Sequence, residues 1–175
     1  VQISPSSERN VKKPIIKFAG GLLYEAGITP HENQKLNIKV KIDTNPPAGF
    51  STNKTLVNEY FPIALNHHDN PSFIAGKCHG VLQREWAKGR DFFDLLFYLS
   101  RWKETQPNFE YLNNALDQTG YDKGEITPEN WRKCLLERVK EVSWSAVKED
   151  VKPFLLEPAD EELFSKGFLI DELSK

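Results

Sequence analysis

The sequence contains no methionine and only two cysteines among its 175 residues. Cys78 and Cys134 are too far apart in the sequence to form the closely spaced pair of a zinc site. Two cysteines are also too few to predict a disulfide framework, which is typical of small secreted proteins. We therefore expect two buried thiols in a protein of the reducing cytoplasm.

The chain also lacks a long apolar run and a strong net charge. No segment is apolar over the length needed to span a bilayer, and no secretory signal is present. The formal net charge is −2, so any binding of an anion has to come from a local patch and not from the whole molecule. Hydrophobic residues make up 39% of the chain, which is enough for a real core in a protein of this length.

The first third of the sequence has the pattern of β-strands. Apolar and polar residues alternate through Leu36–Asp43, which predicts a half-exposed strand that ends at the turn Asn45–Pro47. Two further strands are predicted at Pro14–Tyr24 and Lys54–Leu65.

The rest of the sequence has helical spacing. Two helices joined by a short basic elbow are predicted within Ile74–Arg101, and the remaining helices are expected at Phe109–Gln118, Thr127–Val142, Ser145–Phe154 and Ala159–Lys166. The predicted fold class is α+β, with a small β-sheet followed by a helical C-terminal half. We divide the chain into a sheet-plus-helix-pair part, residues 1–101, and a helical part, residues 102–175.

Four charged side chains lie where the two helices of the elbow should pack together. Lys77 and Arg84 are seven residues apart, so both project from one face of the first helix. Asp91 and Asp94 are neighbours on one face of the second helix, which is otherwise strongly apolar. An unpaired carboxylate is costly to bury, so these acids must meet a cation, a metal ion or a solvent-filled cleft.

Spacing alone leaves two interpretations of these charges open. In the structural interpretation, Asp91 caps its helix and Asp94 pairs with Lys88 or Arg90 of the elbow. In the functional interpretation, the charges belong to a binding or catalytic site. Structural ion pairs far outnumber catalytic ones, so spacing alone favours the structural interpretation.

The segment Ile74–Arg101 resembles the nucleotidyltransferase AbiEii/AbiGii toxin family, which carries a Lys-x-x-Ala-Leu-x-x-Arg motif, a basic stretch and an Arg-Asp-x-x-Asp-Leu motif. The matching residues are Lys77, Val81–Leu82, Arg84, Lys88–Asp91 and Asp94–Leu95. The resemblance extends over roughly residues 15–101 and includes the strand and Asn-Pro-Pro turn of Ile38–Phe50. The chain departs from the family at Gly80, where Ala is usual, and at Lys41, where an acidic residue is expected two positions before Asp43.

The resemblance implies a nucleotidyltransferase that uses an NTP as substrate and Mg²⁺ as cofactor, and transfers a nucleotide to an acceptor such as tRNA. It also implies a cognate antitoxin protein as a partner, and no membrane. Asp91 is favoured over Asp94 as the orienting carboxylate, because it directly follows the basic elbow. The implied site residues are catalytic Lys77, Asp91 and Asp94, nucleotide-binding Arg84, Lys88 and Arg90, and the metal ligand Asp43.

One motif of the family is absent from the sequence. Members open with a Gly-Ser or Gly-Gly-Thr turn and an Asp-x-Asp pair that binds the metal ions, whereas no Asp-x-Asp occurs here and no acidic pair follows Gly20–Gly21. We therefore expect the C-terminal part of a longer nucleotidyltransferase-fold protein, inactive by itself; a natural member that has lost its metal site is the alternative. A non-catalytic module that binds a partner protein, and an RNA-binding surface at the basic elbow, also remain open.

Overall fold

The computed structural model describes residues 11–18, 20–155 and 162–175. The chain divides into two compact units, Val1–Pro46 and Pro47–Lys175, and each is described by itself. Across the described ranges, none of the helices combines the length and the apolarity that crossing a bilayer requires.

The first unit consists of two short antiparallel ladders and one helix. Strand β1 (Val11–Lys12) pairs with β4 (Ile42–Asp43), and β2 (Ile15–Phe18) pairs with β3 (Leu36–Lys39). Helix α1 (Gly20–Glu25) follows β2. The strand predicted at Leu36–Asp43 is thus present as two pieces, because its two ends pair with different strands.

The strand predicted at Pro14–Tyr24 is wrong in its second half, which is helical. A side chain at Gly20 would place its Cβ 2.2 Å from the carbonyl oxygen of Glu32, so the backbone approaches too closely there for any residue but glycine. The buried side chain of Leu23 anchors the helix that follows. A short apolar run does not by itself distinguish a strand from a helix.

The second unit begins with a β-hairpin and continues as helices. The strands and helices described in it are β5 (Thr52–Asn58), β6 (Pro62–His68), α2 (Asn70–Gln83), α3 (Gly89–Arg101), α4 (Phe109–Gln118), α5 (Trp131–Glu141), α6 (Trp144–Val151) and α7 (Lys166–Leu173), with a 3₁₀ turn at Lys152–Phe154. The fold class is α+β, as the sequence predicted.

The single strand predicted at Lys54–Leu65 is in fact this hairpin. Strands β5 and β6 are antiparallel, with Thr55 opposite Leu65, and the chain reverses at residues 59–61. The reversal contains neither Gly nor an Asn-Gly pair, so the usual signal of a tight hairpin turn is missing. Pro62 opens β6 and does not end a strand.

The helix boundaries differ from the predicted ones where polar side chains form hydrogen bonds with backbone N–H groups. Helix α5 begins at Trp131 and not at Thr127, because Asn130 Oδ1 accepts a 2.8 Å hydrogen bond from the Thr127 backbone N–H and closes a separate turn. The helix predicted at Ala159–Lys166 lies partly outside the described residues. Helix α7 starts only at Lys166, where the Ser165 side chain caps it by accepting from the Phe168 N–H at 3.1 Å.

The core of the second unit lies among its helices. The largest fully buried side chains include Trp131, Phe92, Phe164, Ile74, Leu95, Leu112, Leu116, Leu135 and Leu169. Helices on both sides of residue 101 contribute to this one core, and the division predicted between residues 1–101 and 102–175 stays a prediction. The core holds α2 and α3 together, and this fixes the position of the charged residues between them.

Candidate functional site

The site is built on the end of α2 and the start of α3. Helix α2 begins at Asp69, whose carboxylate accepts a 2.9 Å hydrogen bond from the Ser72 N–H. It ends at Gln83, after which Arg84 is extended (φ −68°, ψ 132°) and starts the elbow that leads to Gly89. Lys77 therefore lies near the end of α2 and Arg84 directly after it, opposite the first two turns of α3.

The charged residues predicted from the sequence meet between these helices. The Lys77 Nζ lies 2.6 Å from Asp94 Oδ2 and 3.4 Å from Asp91 Oδ1, so both acids meet a cation, one of the outcomes that the cost of burying a carboxylate predicted. The Arg84 Nε lies 2.9 Å from Asp91 Oδ2. We call Lys77, Arg84, Asp91 and Asp94 the charge cluster. Two cations and two carboxylates alternate in it, so it is neutral as a whole.

The members of the charge cluster differ in their access to solvent. The side chain of Asp91 is only 11% exposed, whereas the side chains of Lys77, Arg84 and Asp94 are 27%, 42% and 38% exposed. Asp91 therefore lies at the base of the cluster and contacts both cations. Asp94 and the two cations form the part that an incoming solute can reach.

The buried oxygen of Asp91 is tightly enclosed. Its Oδ2 is screened from solvent, and the Arg84 Nε is close to it but out of line for a hydrogen bond. On the α2 side, a Cβ added to Gly80 would lie 2.9 Å from this oxygen and 3.1 Å from Cγ. Gly80, the departure from the family pattern, therefore leaves the room that the carboxylate occupies.

The start of α3 is also closely packed. A Cβ at Gly89 would lie 2.2 Å from the Val147 carbonyl oxygen and 2.7 Å from Val151 Cγ2, so the first turn of α3 lies directly against α6. The N-cap of α3 is Lys88, and Asp91 is the third residue of the helix. The interpretation of Asp91 as the helix cap is therefore wrong, and Asp91 faces α2.

Lys77 stays protonated at neutral pH. Burial lowers the pKa of this ammonium group, but the hydrogen bond and negative charge of Asp94, together with Asp91, outweigh burial and raise the pKa above 10.5. Lys77 is thus a fixed positive charge and not a general base. Burial and the negative charge of Asp94 likewise raise the pKa of the nearby Tyr98 hydroxyl, which stays neutral.

His79 lies on α2 between the two cations of the cluster. Its Nε2 is 3.0 Å from the Thr119 hydroxyl at the end of α4. Burial and the nearby Arg84 charge lower the pKa of His79 below 6.5, and Asp91 only partly opposes them. The ring is therefore neutral at pH 7. No sequence motif singled out this residue, because its environment comes from three separate elements.

The other predicted site residues lie at different places. Arg90 is exposed, with its Cζ 4.7 Å from the centre of the Phe154 ring, which is itself exposed on the surface. Lys88 is half-buried at the start of α3. Asp43 belongs to the first unit, where it is exposed and its Oδ1 accepts a 3.0 Å hydrogen bond from the Asn45 N–H. Their proposed roles stay predictions.

The residues that the structure describes do not fit a Mg²⁺ ion. They contain no group of three or more His, Cys, Asp or Glu side chains placed to hold a metal. Asp91 and Asp94 are hard oxygen donors of the kind that Mg²⁺ prefers, but Lys77 and Arg84 already neutralise them. The charge cluster therefore offers no pair of free carboxylates to a metal ion.

A cavity of about 730 Å³ in the second unit is acidic. Its lining residues include Glu110, Asp117, Asp122 and Glu125. A phosphate group would be repelled there, so this cavity is a poor candidate for a nucleotide site.

Comparison with known proteins agrees with the signature. A family model described as AbiEii, "Nucleotidyl transferase AbiEii toxin, Type IV TA system", matches residues 3–166. No curated protein and no solved structure matches the chain. The match extends well beyond residue 101, so it includes α4, α5 and α6 as well as the signature helices.

Proposed function

Because the chain belongs to the AbiEii nucleotidyl transferase toxin family of type IV toxin–antitoxin systems, we propose that its charge cluster binds the phosphates of an NTP for transfer of a nucleotide. The observation that carries this proposal is the convergence of Lys77, Arg84, Asp91 and Asp94 from two helices into one cluster. Cations that carboxylates hold in place, yet that remain partly exposed, are suited to recognise an oxyanion.

The geometry supports a division of roles within the cluster. Lys77 and Arg84 contact the phosphates and neutralise the charge that develops as the acceptor hydroxyl attacks the α-phosphorus and pyrophosphate leaves. Asp91, the most buried member of the cluster, orients Lys77 and Arg84. Asp94 is the carboxylate with access to solvent, and it is therefore a better candidate than Asp91 to orient the attacking hydroxyl. Lys88 and Arg90 add positive charge at the start of α3, where the helix dipole also favours an anion.

The metal-dependent part of the reaction needs donors beyond the charge cluster. Mg²⁺ would hold the triphosphate and activate the attacking hydroxyl. Asp43 is the one metal ligand proposed from the sequence. Since neither an Asp-x-Asp pair nor a described cluster of donors accompanies it, we propose that this chain by itself only binds nucleotide, and that the transfer step requires metal donors in addition to the charge cluster.

The test is triphosphate binding, measured by calorimetry with ATP, GTP, CTP and UTP in turn, with and without Mg²⁺. At least one nucleotide should bind, and Lys77→Ala should weaken it roughly tenfold or more, the effect of losing a charge-assisted hydrogen bond. The matched control is Lys133→Ala, which removes an exposed lysine of α5 and should leave binding unchanged. Equal effects of the two variants, or no binding to the wild type, would refute the proposal.

The acceptor and the partner belong to the same proposal. A type IV toxin family implies a cognate antitoxin, and we propose an RNA such as tRNA as the acceptor, with the basic residues of the elbow contacting its backbone. A cytoplasmic location is proposed because Cys78 and Cys134 are both free thiols. RNA affinity that falls steeply with salt would support this acceptor, and affinity independent of salt would argue against it.

A non-catalytic module that binds a partner protein is the second candidate. It is favoured by the β5–β6 hairpin, where Leu56, Tyr60 and Phe61 are exposed, Tyr60 by 95%. Contiguous exposed apolar side chains on a hairpin mark interaction surfaces. If the cognate antitoxin bound the chain through these residues while no triphosphate bound to the charge cluster, the second candidate would replace the first.

A further inference from the structure

Helix α2 ends without any of the usual stop signals. No glycine or proline follows Gln83 in the elbow before Gly89, and the last turn of α2 contains no basic side chain. The final carbonyl groups of a helix lack intrahelical partners and carry partial negative charge. Water or a group from elsewhere in the fold must therefore satisfy them.

Arg138 of α5 supplies that group. Its Nε donates to the Val81 carbonyl at 3.2 Å, and its Nη2 donates to the Arg84 carbonyl at 2.6 Å and the Glu85 carbonyl at 3.3 Å. The guanidinium is largely buried, with 18% of the side chain exposed. Its planar set of donors reaches three carbonyl groups at once, which a lysine cannot do.

These contacts fix the backbone of one member of the charge cluster. Arg84 is the first residue after α2, and its carbonyl receives the shortest of the three hydrogen bonds. The chain leaves the helix after this residue (φ −68°, ψ 132°), and the Arg84 side chain reaches Asp91 from the end of α2. The hydrogen bonds from Arg138 hold the carbonyl groups of Arg84 and of the next residue, and so anchor the backbone that carries this side chain.

We propose that Arg138 is a positioning residue that sets Arg84 against Asp91, and so prepares the charge cluster for a phosphate. The inference rests on the proposed function for its role in nucleotide binding, but not for its effect on Arg84. Arg138 lies outside the signature segment, more than fifty residues from Arg84 in the sequence.

Arg132 provides a matched control on the same helix. Its Nη1 donates to the Glu172 carbonyl at 2.8 Å, so it too contacts the end of a helix, α7, and its guanidinium lies over the Trp131 ring. Removal of either arginine should destabilise the fold through a lost carbonyl contact. Only removal of Arg138 should disturb Arg84.

The first experiment follows the Arg84 Nε–H by NMR, with its signal assigned by its loss in Arg84→Lys. In Arg138→Gln, the chemical shift of this proton should move most of the way to its value in Asp91→Asn, because the Arg84 side chain is no longer held beside the Asp91 carboxylate. In Arg132→Gln the chemical shift should stay at its wild-type value. An unchanged Arg84 signal in Arg138→Gln would overturn the inference, whatever the chain binds.

The second experiment is a double-mutant cycle on triphosphate affinity. Arg138→Gln and Arg84→Gln should each weaken binding by roughly fivefold to tenfold, and the double variant should be no weaker than Arg84→Gln alone. Additive losses would show that Arg138 does not act through Arg84. If the wild type binds no triphosphate, the proposed function fails, and the NMR result still decides whether Arg138 sets Arg84.

Circular dichroism shows whether Arg138→Gln folds. If it does not, Arg138→Lys replaces it in the NMR experiment. It keeps the positive charge at the end of α2 but offers one point of contact instead of a planar set. The chemical shift of the Arg84 Nε–H should then lie between its values in the wild type and in Asp91→Asn. A wild-type chemical shift in Arg138→Lys would refute the role of the planar guanidinium.

Discussion

Asp91 and Asp94 lie one helical turn apart and occupy different environments. Asp91 is buried and contacts both Lys77 and Arg84, whereas Asp94 reaches solvent and contacts Lys77. Buried ion pairs leave a stranded charge when one partner is removed, and exposed pairs do not.

Neutralising the two carboxylates should therefore have unequal effects on stability. Asp91→Asn should lower the free energy of unfolding by about 2–3 kcal/mol, because it leaves Arg84 unpaired beside a buried amide. Asp94→Asn should lower it by less than about 1 kcal/mol, since its partner is still paired with Asp91. Urea unfolding at pH 7 measures both. Equal losses would show that the burial of Asp91 does not matter energetically.

His79 should make the protein less stable in acid. Its folded-state pKa is lowered by burial and by Arg84, so below pH 6.5 the unfolded chain takes up a proton that the folded chain resists. The contribution of His79 to the free energy of unfolding is therefore fully present above pH 6.5. It is lost as the pH falls towards the pKa that His79 has in the folded protein. His79→Gln should flatten the loss of melting temperature between pH 7 and pH 5, whereas the exposed His31→Gln should not. If the melting temperatures of His79→Gln and the wild type fell equally between pH 7 and pH 5, the prediction would be wrong.

At the scale of elements, two glycines set how closely the helices approach. Gly89 brings the start of α3 against the Val147 carbonyl of α6, and Gly80 brings α2 against the Asp91 carboxylate of α3. Both glycines are buried, and each is placed where a Cβ would be closer to its neighbour than atoms normally approach. The geometry of the charge cluster depends on this close packing of α3 against α6 and of α2 against α3.

Gly80→Ala tests the approach of α2 to α3. Despite the better helix propensity of alanine, the substitution should destabilise the fold by about 1–3 kcal/mol through overpacking against Asp91. The control is Gly76→Ala on the same helix, where no atom lies within 4 Å of the added Cβ, and it should stabilise by up to about 1 kcal/mol. In an Asp91→Ala background the penalty of Gly80→Ala should disappear. A persistent penalty would mean that the clash is with another group.

At the scale of the whole molecule, the chain belongs to a nucleotidyl transferase family, but its described residues contain no set of metal donors. We therefore expect that the 175-residue chain with labelled NTPs and Mg²⁺ transfers no nucleotide to RNA or protein. Incorporation of label is the measurement, and Lys77→Ala is the control for background. Robust labelling that depends on Mg²⁺ and on Lys77 would show that the chain holds the metal in a way that the described residues do not reveal.

The local sequence pattern was sufficient to predict the family, one ion-pair network and several secondary-structure elements of this protein. The signature residues Lys77 to Leu95 carry the family and the pairing of Lys77 with Asp91 and Asp94, because helical spacing places them on facing surfaces of adjacent helices. Alternation in Leu36–Asp43 predicted strand, and the spacing in α4 predicted its helix with both ends correct. Such features depend on residues close together in the chain, so sequence is sufficient to predict them.

Only the tertiary structure decided which of the two carboxylates is buried, where α2 ends and why Gly80 is a glycine. Each answer depends on a contact between residues far apart in the sequence: Asp91 with Gly80, Arg138 with Arg84, and Gly89 with Val147. Spacing specifies the face on which a side chain lies, but not what covers that face. Burial and partners follow from how helices pack, and helix packing is a property of the whole core.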